Sequence, residues 1–103
     1  MNKKLHLFVK EQDKKNHRPL FHYIIEEARK KGIEGASLFR TMECFGRDKK
    51  IHEDHLLEVS AKHTIMIVIV SEFEKINSLI KELKSLDIKA FYTLTDIEAG
   101  YIP

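Results

Sequence analysis

The stretch Cys44-Phe45-Gly46-Arg47, followed closely by Lys49, Lys50 and His52, gathers the groups in this 103-residue chain best suited to hold an anion. A glycine turn lets backbone N–H groups converge, arginine presents a forked donor and lysine adds charge, so a phosphate or a carboxylate would suit it. The plainer reading is a loop of solvated charged residues. Arg40 is more pointed. It shares its side of a strand pattern with the apolar Leu38 and Met42, so its charge calls for a partner or a ligand. Glu11 is one candidate partner, and a plain salt bridge at a subunit boundary is the structural alternative. Phe45 either stacks on a base or plugs a neighbouring subunit.

His52 and His55, three apart, could share a face if their segment turns helical, and Cys44 could join them as a soft ligand. No convincing third ligand accompanies them, and His6, His17, His22 and His63 are scattered, so no metal is predicted. The lone Cys44 has no partner for a disulfide or a zinc knuckle. No nucleophile stands beside an evident base, and no enzymatic activity is predicted. The loop Gln12-Asp13-Lys14-Lys15-Asn16 lacks the glycine pattern of an acylphosphatase-like phosphate cradle. Ile65–Val70 lacks the aromatics that an RNA-recognition domain would use for stacking.

The elements that must position these groups can be read from periodicity. Leu5, Leu7 and Val9 alternate with His6, Phe8 and Lys10, which predicts a first strand, followed by a polar loop over Glu11–Asn16. Pro19 suits the first turn of a helix whose buried stripe is Leu20, Ile24 and Ala28, with Tyr23 beside it and Gly32 as its C-terminal cap. A second strand is predicted over Ala36–Met42 and a third over Thr64–Val70, with Glu43–His55 as a long exposed loop and Leu56–Ala61 ambiguous between strand and helix. Ser71 and Glu74 have capping-box spacing before a second helix that buries Phe73, Ile76, Leu79, Ile80 and Leu83. A last strand follows over Ala90–Leu94. The order βαββαβ implies an α+β, ferredoxin-like sandwich, in which a four-stranded antiparallel sheet carries both helices on one face.

At this length the whole chain, 1–103, is expected to form a single domain. The other sheet face should then lie open, yet strand three is apolar at every position from Ile65 to Val70. Phe8, Phe39 and either Phe91 or Tyr92 must also project from that face. A half-exposed antiparallel sheet should alternate, so the pattern predicts burial against further copies of the chain, without fixing their number. The net charge of +2, with acidic residues interspersed among the basic ones, argues against nucleic acid as the main partner. The longest apolar run, Ile65–Val70, is too short to cross a bilayer, and the beginning of the sequence shows no signal-peptide core. With a single cysteine, the cytoplasm is the expected compartment.

The stretch Gly32–Ser37, then Arg40 and Cys44-Phe45-Gly46-Arg47, resembles the PII signal proteins, where a similar sequence closes strand two and opens a long loop. The chain is similar over nearly its whole length to a PII-like family, domain of unknown function 190, from Glu11–Asp13 and Pro19-Leu20 through Arg40 and Ile51-His52 to Thr93–Ile97. The resemblance implies a trimer with the three sheets facing inward and ligand sites in the clefts between subunits. An adenine nucleotide is the ligand it suggests, with Glu11, Arg40, Phe45, Gly46, Arg47, Lys49 and His52 as the candidate binding residues. Signalling would pass through the 43–55 loop to a protein such as a membrane transporter or an enzyme. Two departures stand out: Ser85–Lys89 has no glycine where PII proteins cradle phosphate, and Thr41 and Cys44 stand where the PII-like family usually has glycine. A metal-responsive trimer resembling the CutA proteins and a ligand-free interaction module are the competing readings.

Overall fold

The computed structural model describes residues 1–44, 52–53 and 63–103. Its elements run β1 (Asn2–Lys10), β2 (Lys14–Lys15), β3 (Arg18–Pro19), α1 (Leu20–Lys30), β4 (Ala36–Arg40), β5 (Glu43–Cys44), β6 (His52–Glu53), β7 (Thr64–Glu72), α2 (Phe73–Ser85) and β8 (Phe91–Ile97). The main sheet has the order β4-β7-β1-β8 with every neighbouring pair antiparallel. This is the predicted ferredoxin-like arrangement. The strands with the strongest apolar pattern, β1 and β7, take its centre.

Register decides which residues share a face. Leu5, Leu7 and Val9 lie opposite Ile69, Ile67 and Ile65, and all six are buried beneath the helices. The two helices close over them with Leu20, Ile24 and Ala28 from α1 and Ile76, Leu79, Ile80 and Leu83 from α2. Each fully buried Ile or Leu, such as Ile67 or Leu79, contributes on the order of 2 kcal/mol from removal of its apolar surface from water. Phe73 departs from the predicted stripe: it stays partly exposed, with Lys3 Nζ 5.6 Å above its ring.

The opposite face carries Phe8 against Phe91 at a ring separation of 5.9 Å, so Phe91 and not Tyr92 projects there. Phe39, Met66, Val68 and Val70 share that side, with Phe39 51% and Phe91 69% exposed. No described element covers them.

Both helices end in the same backbone device. After α1, Gly32 N–H donates to Arg29 O and Ile33 N–H to Ala28 O, with Gly32 at φ +79°. After α2, Asp87 N–H donates to Lys84 O and Ile88 N–H to Leu83 O, with Asp87 at φ 57°. These are Schellman closures, and the second places a non-glycine residue in the left-handed region.

The capping box is corrected. Ser71 and Glu72 belong to β7 because β1 begins at Asn2 and pairs Lys3 with Ser71 and Asn2 with Glu72, holding both extended. Glu72 is the N-cap without a side-chain cap, and the Phe73 N–H donates to Met1 O at 3.0 Å. The polar loop predicted over Glu11–Asn16 instead opens a small hairpin, in which β2 and β3 pair around Asn16 and His17. The predicted loop over 43–55 begins on a short ladder between β5 and β6, pairing Glu43 with Glu53 and Cys44 with His52. The ambiguous stretch 56–61 lies outside the described residues.

Candidate functional site

The best-defined polar feature sits at one end of the sheet, where β1 stops, β4 stops and β7 begins. Glu11 directly follows β1, and its N–H donates to His63 O at 2.8 Å, which carries the strand pairing one step further. Arg40 is the last residue of β4 and faces Ile65 of β7, as does Val9 of β1. Alternation therefore sends Glu11 and Arg40 to the helix side of the sheet, on either flank of β7. They meet there. Arg40 Nε donates to Glu11 Oε1 at 3.0 Å and Arg40 Nη2 to Glu11 Oε2 at 2.7 Å. The geometry is bidentate, which matches the planar fork of a guanidinium to the two oxygens of a carboxylate.

Exposure of the pair is uneven. The Glu11 side chain is 17% exposed and that of Arg40 54%, so the carboxylate is the more sheltered partner and much of the arginine remains accessible to solvent. Glu11, which the sequence offered as one candidate partner for Arg40, is the carboxylate that meets it here. Thr41 fixes the next step of the chain: its N–H and its hydroxyl both donate to Thr64 O, at 2.9 and 3.2 Å. Thr41 has no positive φ, so this position does not use the conformational freedom that a glycine would bring. His63, next to it on β7's side, is buried.

Of the remaining predicted ligand residues, Phe45, Gly46, Arg47 and Lys49 lie outside the described residues, as does His55. His52 is placed in β6, opposite Cys44, by backbone pairing. Glu11 and Arg40 are thus brought together at the root of the segment that carries the others. Among the described residues, no three His, Cys, Asp or Glu side chains converge as metal ligands would, and no helix is long and apolar enough to cross a membrane.

Two features were missed from sequence. The pair of hydrogen bonds from Thr41 to the Thr64 carbonyl carries no local signature, since it depends on strand register. The Asn16-His17 turn did carry one, an asparagine two residues before Arg18-Pro19, but without a following glycine the usual hairpin signal is incomplete.

A second polar cluster joins the helices on their outer side. Lys31 Nζ lies 3.3 Å from Glu82 Oε1 and donates to Ser78 Oγ at 3.2 Å. The hydrogen bond shared with the Glu27 carboxyl, and next the Lys31 ammonium, hold Glu82 below the ordinary glutamate range against the opposing effect of burial. Burial first, then the charge of Glu27, push the Tyr23 hydroxyl up. This cluster ties α1 to α2 and stands apart from the Glu11–Arg40 pair.

Comparison with known proteins gives a consistent result. Residues 2–99 match the DUF190 family, described as an uncharacterized ACR. A UPF0166 protein from Aquifex aeolicus is 30% identical over 100 residues, covering 97% of this chain and 94% of that protein. Among solved structures, CPII, a nitrogen regulatory PII-like protein from Thiomonas intermedia K12 bound to ADP, AMP and bicarbonate, superposes with a TM-score of 0.74 at 18% identity, covering 97% of this chain and 89% of that one. A putative PII-like signaling protein from Thermus thermophilus gives a TM-score of 0.65 at 11% identity, covering 90% and 83%. At these identities the structural likeness speaks for the fold. The family match spans nearly the whole sequence and the solved structures share its arrangement of strands and helices: the chain belongs to the DUF190 family and has the fold of the PII-like proteins.

Proposed function

We propose that this chain is a PII-like regulatory protein that binds a small anionic ligand in a cleft between subunits and signals through its 43–55 segment. The observation that carries this reading is the Arg40–Glu11 clasp at the foot of that segment: a guanidinium already shaped around a planar oxyanion and still 54% exposed. The ligands of the fold relative CPII, namely ADP, AMP and bicarbonate, or acetate in another of its structures, point to an adenine nucleotide with or without a small carboxylate-like anion. Arg47, Lys49 and the backbone N–H groups around Gly46 would supply the remaining donors, Phe45 a face for a base, and His52 a further polar contact.

The oligomer is part of the proposal. Phe8, Phe39, Met66, Val68, Val70 and Phe91 form an apolar face that a lone subunit would leave in water, so three copies packed sheet to sheet are proposed to bury it and to create the clefts. The turn after α2 supports a ligand held from the Arg40 side. Where PII proteins cradle phosphate with glycines, this chain places Asp87, a carboxylate that repels phosphate. The protein is proposed to act in the cytoplasm as a binding protein, with one domain over 1–103 and a transporter or enzyme as its protein partner.

Isothermal titration of the purified protein with ADP, AMP and bicarbonate, singly and together, tests the ligand, and light scattering on the same sample tests the trimer. Saturable binding that Arg40→Gln abolishes is expected. A trimer that binds none of the three would overturn the ligand assignment, and a stable monomer would remove the cleft itself.

A further inference from the structure

The hairpin between β1 and α1 breaks two local rules within a few residues. Its two-residue connection, Asn16-His17, has φ values of 53° and 65°, the φ signature of a type I′ turn. Asparagine tolerates this region, whereas histidine in the place that normally falls to glycine is strained. The residues flanking the turn, Lys15 and Arg18, are direct cross-strand partners, and like charges placed directly opposite each other destabilise a strand pair. Neither has a carboxylate partner among the described residues, although Arg29 and Arg40 each do. Of the acids just before the hairpin in sequence, Glu11 grips Arg40 and Asp13 Oδ2 accepts the Lys10 N–H at 3.4 Å. The first turn of α1 contributes no acidic residue.

Local conflicts that a fold retains without internal compensation are the places where a ligand is expected to supply it. We propose that the 14–19 hairpin is a binding site for a phosphate-bearing anion, held between the side chains of Lys15 and Arg18. A carboxylate would neutralise only one of the two cations. A phosphate group brings close to two negative charges and three acceptor oxygens, enough to engage an ammonium and a guanidinium together. Lys14 and His17, both exposed, lie beside the pair and extend the positive surface. The site is separate from the Arg40 clasp, and neither requires the other.

The test is a titration of backbone amide resonances in the full-length protein at constant ionic strength, using inorganic phosphate, pyrophosphate and ADP, with sodium chloride as control. Saturable shifts centred on Lys15–Arg18 are expected, tighter with pyrophosphate than with phosphate. Lys15→Gln and Arg18→Gln should each weaken binding about tenfold, the effect of one charge-assisted hydrogen bond. Without ligand, Lys15→Gln should raise the melting temperature at low salt, because it removes the opposed charge. If ADP reproduces the pyrophosphate pattern on the hairpin, the phosphate comes from a nucleotide; if only the inorganic anions do, it is a free phosphate. Linear shifts equal to those from chloride would overturn the site. So would phosphate shifts confined to the Arg40 region, which would leave the proposed function standing. Binding of a hexaglutamate peptide to the hairpin without phosphate binding would instead make it a protein-docking surface and sink the phosphate assignment.

Discussion

Glu11 and Arg40 reach each other across the flank of β7, and the carboxylate engages the guanidinium through Nε at 3.0 Å and Nη2 at 2.7 Å. The pair fastens the loose end of edge strand β4 to the end of central strand β1, at the point where the chain leaves the sheet for the 43–55 segment. A carboxylate in that position is also a competitor. Any oxyanion that uses the Arg40 fork must displace Glu11 or share it.

Glu11→Gln should therefore strengthen binding of a carboxylate-like anion such as bicarbonate, measured by isothermal titration, because the amide no longer competes as a charged ligand. Since Arg40 is largely solvated, the cost in stability should be modest, about 0.5–1 kcal/mol by urea denaturation. Weaker anion binding in the variant would show that Glu11 orients Arg40 for the ligand and does not compete with it.

The open sheet face supplies a second prediction. Val68 sits centrally on that face, opposite His6 on one side and Ser37 on the other. Val68→Asp should convert the proposed trimer to monomer in light scattering while circular dichroism shows the helices retained, because burying a carboxylate between packed sheets carries a large desolvation cost. An unchanged oligomer would mean that this face is not the interface.

The two helix ends allow a matched comparison. Asp87 and Gly32 occupy the same place in equivalent turns, at φ 57° and +79°. Asp87→Gly should stabilise the protein by up to about 1 kcal/mol, and Gly32→Ala should destabilise it by about 1 kcal/mol. A Cβ at Gly32 would meet only the Lys75 side chain at ordinary contact distances of 3.6 and 3.7 Å, so the cost lies in the backbone. Denaturation midpoints that moved in the opposite directions would refute the backbone account.

Stability should also depend on pH through the clamp between the helices. Glu82 has a folded-state pKa below its unfolded one, so its contribution is present above the unfolded value and is lost as pH falls through the folded one. Tyr23 is raised, so its contribution is present below the ordinary tyrosine pKa and is lost as pH rises through the folded value. Glu82→Gln should flatten the acid limb of the stability profile, and Tyr23→Phe the alkaline limb. Acid limbs of equal slope in wild type and Glu82→Gln would exclude the first effect.

What could be read from the sequence alone follows from short-range periodicity. The alternation of Leu5, Leu7 and Val9, the stripe Leu20, Ile24 and Ala28, and the β-branched run before α2 determined the strands, the helices and their order, because side-chain direction repeats every two or 3.6 residues whatever the rest of the chain does. Gly32 marked its helix end because few other residues accept that φ. Arg40 stood out because a charge in an apolar pattern needs a partner, and Glu11 could be named among the candidates. Tertiary structure decided the rest. That Ser71 belongs to a strand and not to a helix cap depends on Lys3, far away in sequence, pairing with it. That Phe91 joins Phe8 on the open face depends on register, where a shift of one residue would exchange it for Tyr92. The opposed cations Lys15 and Arg18 arise only once the chain reverses at Asn16-His17. Such relationships join residues through space and leave no periodic trace in the sequence.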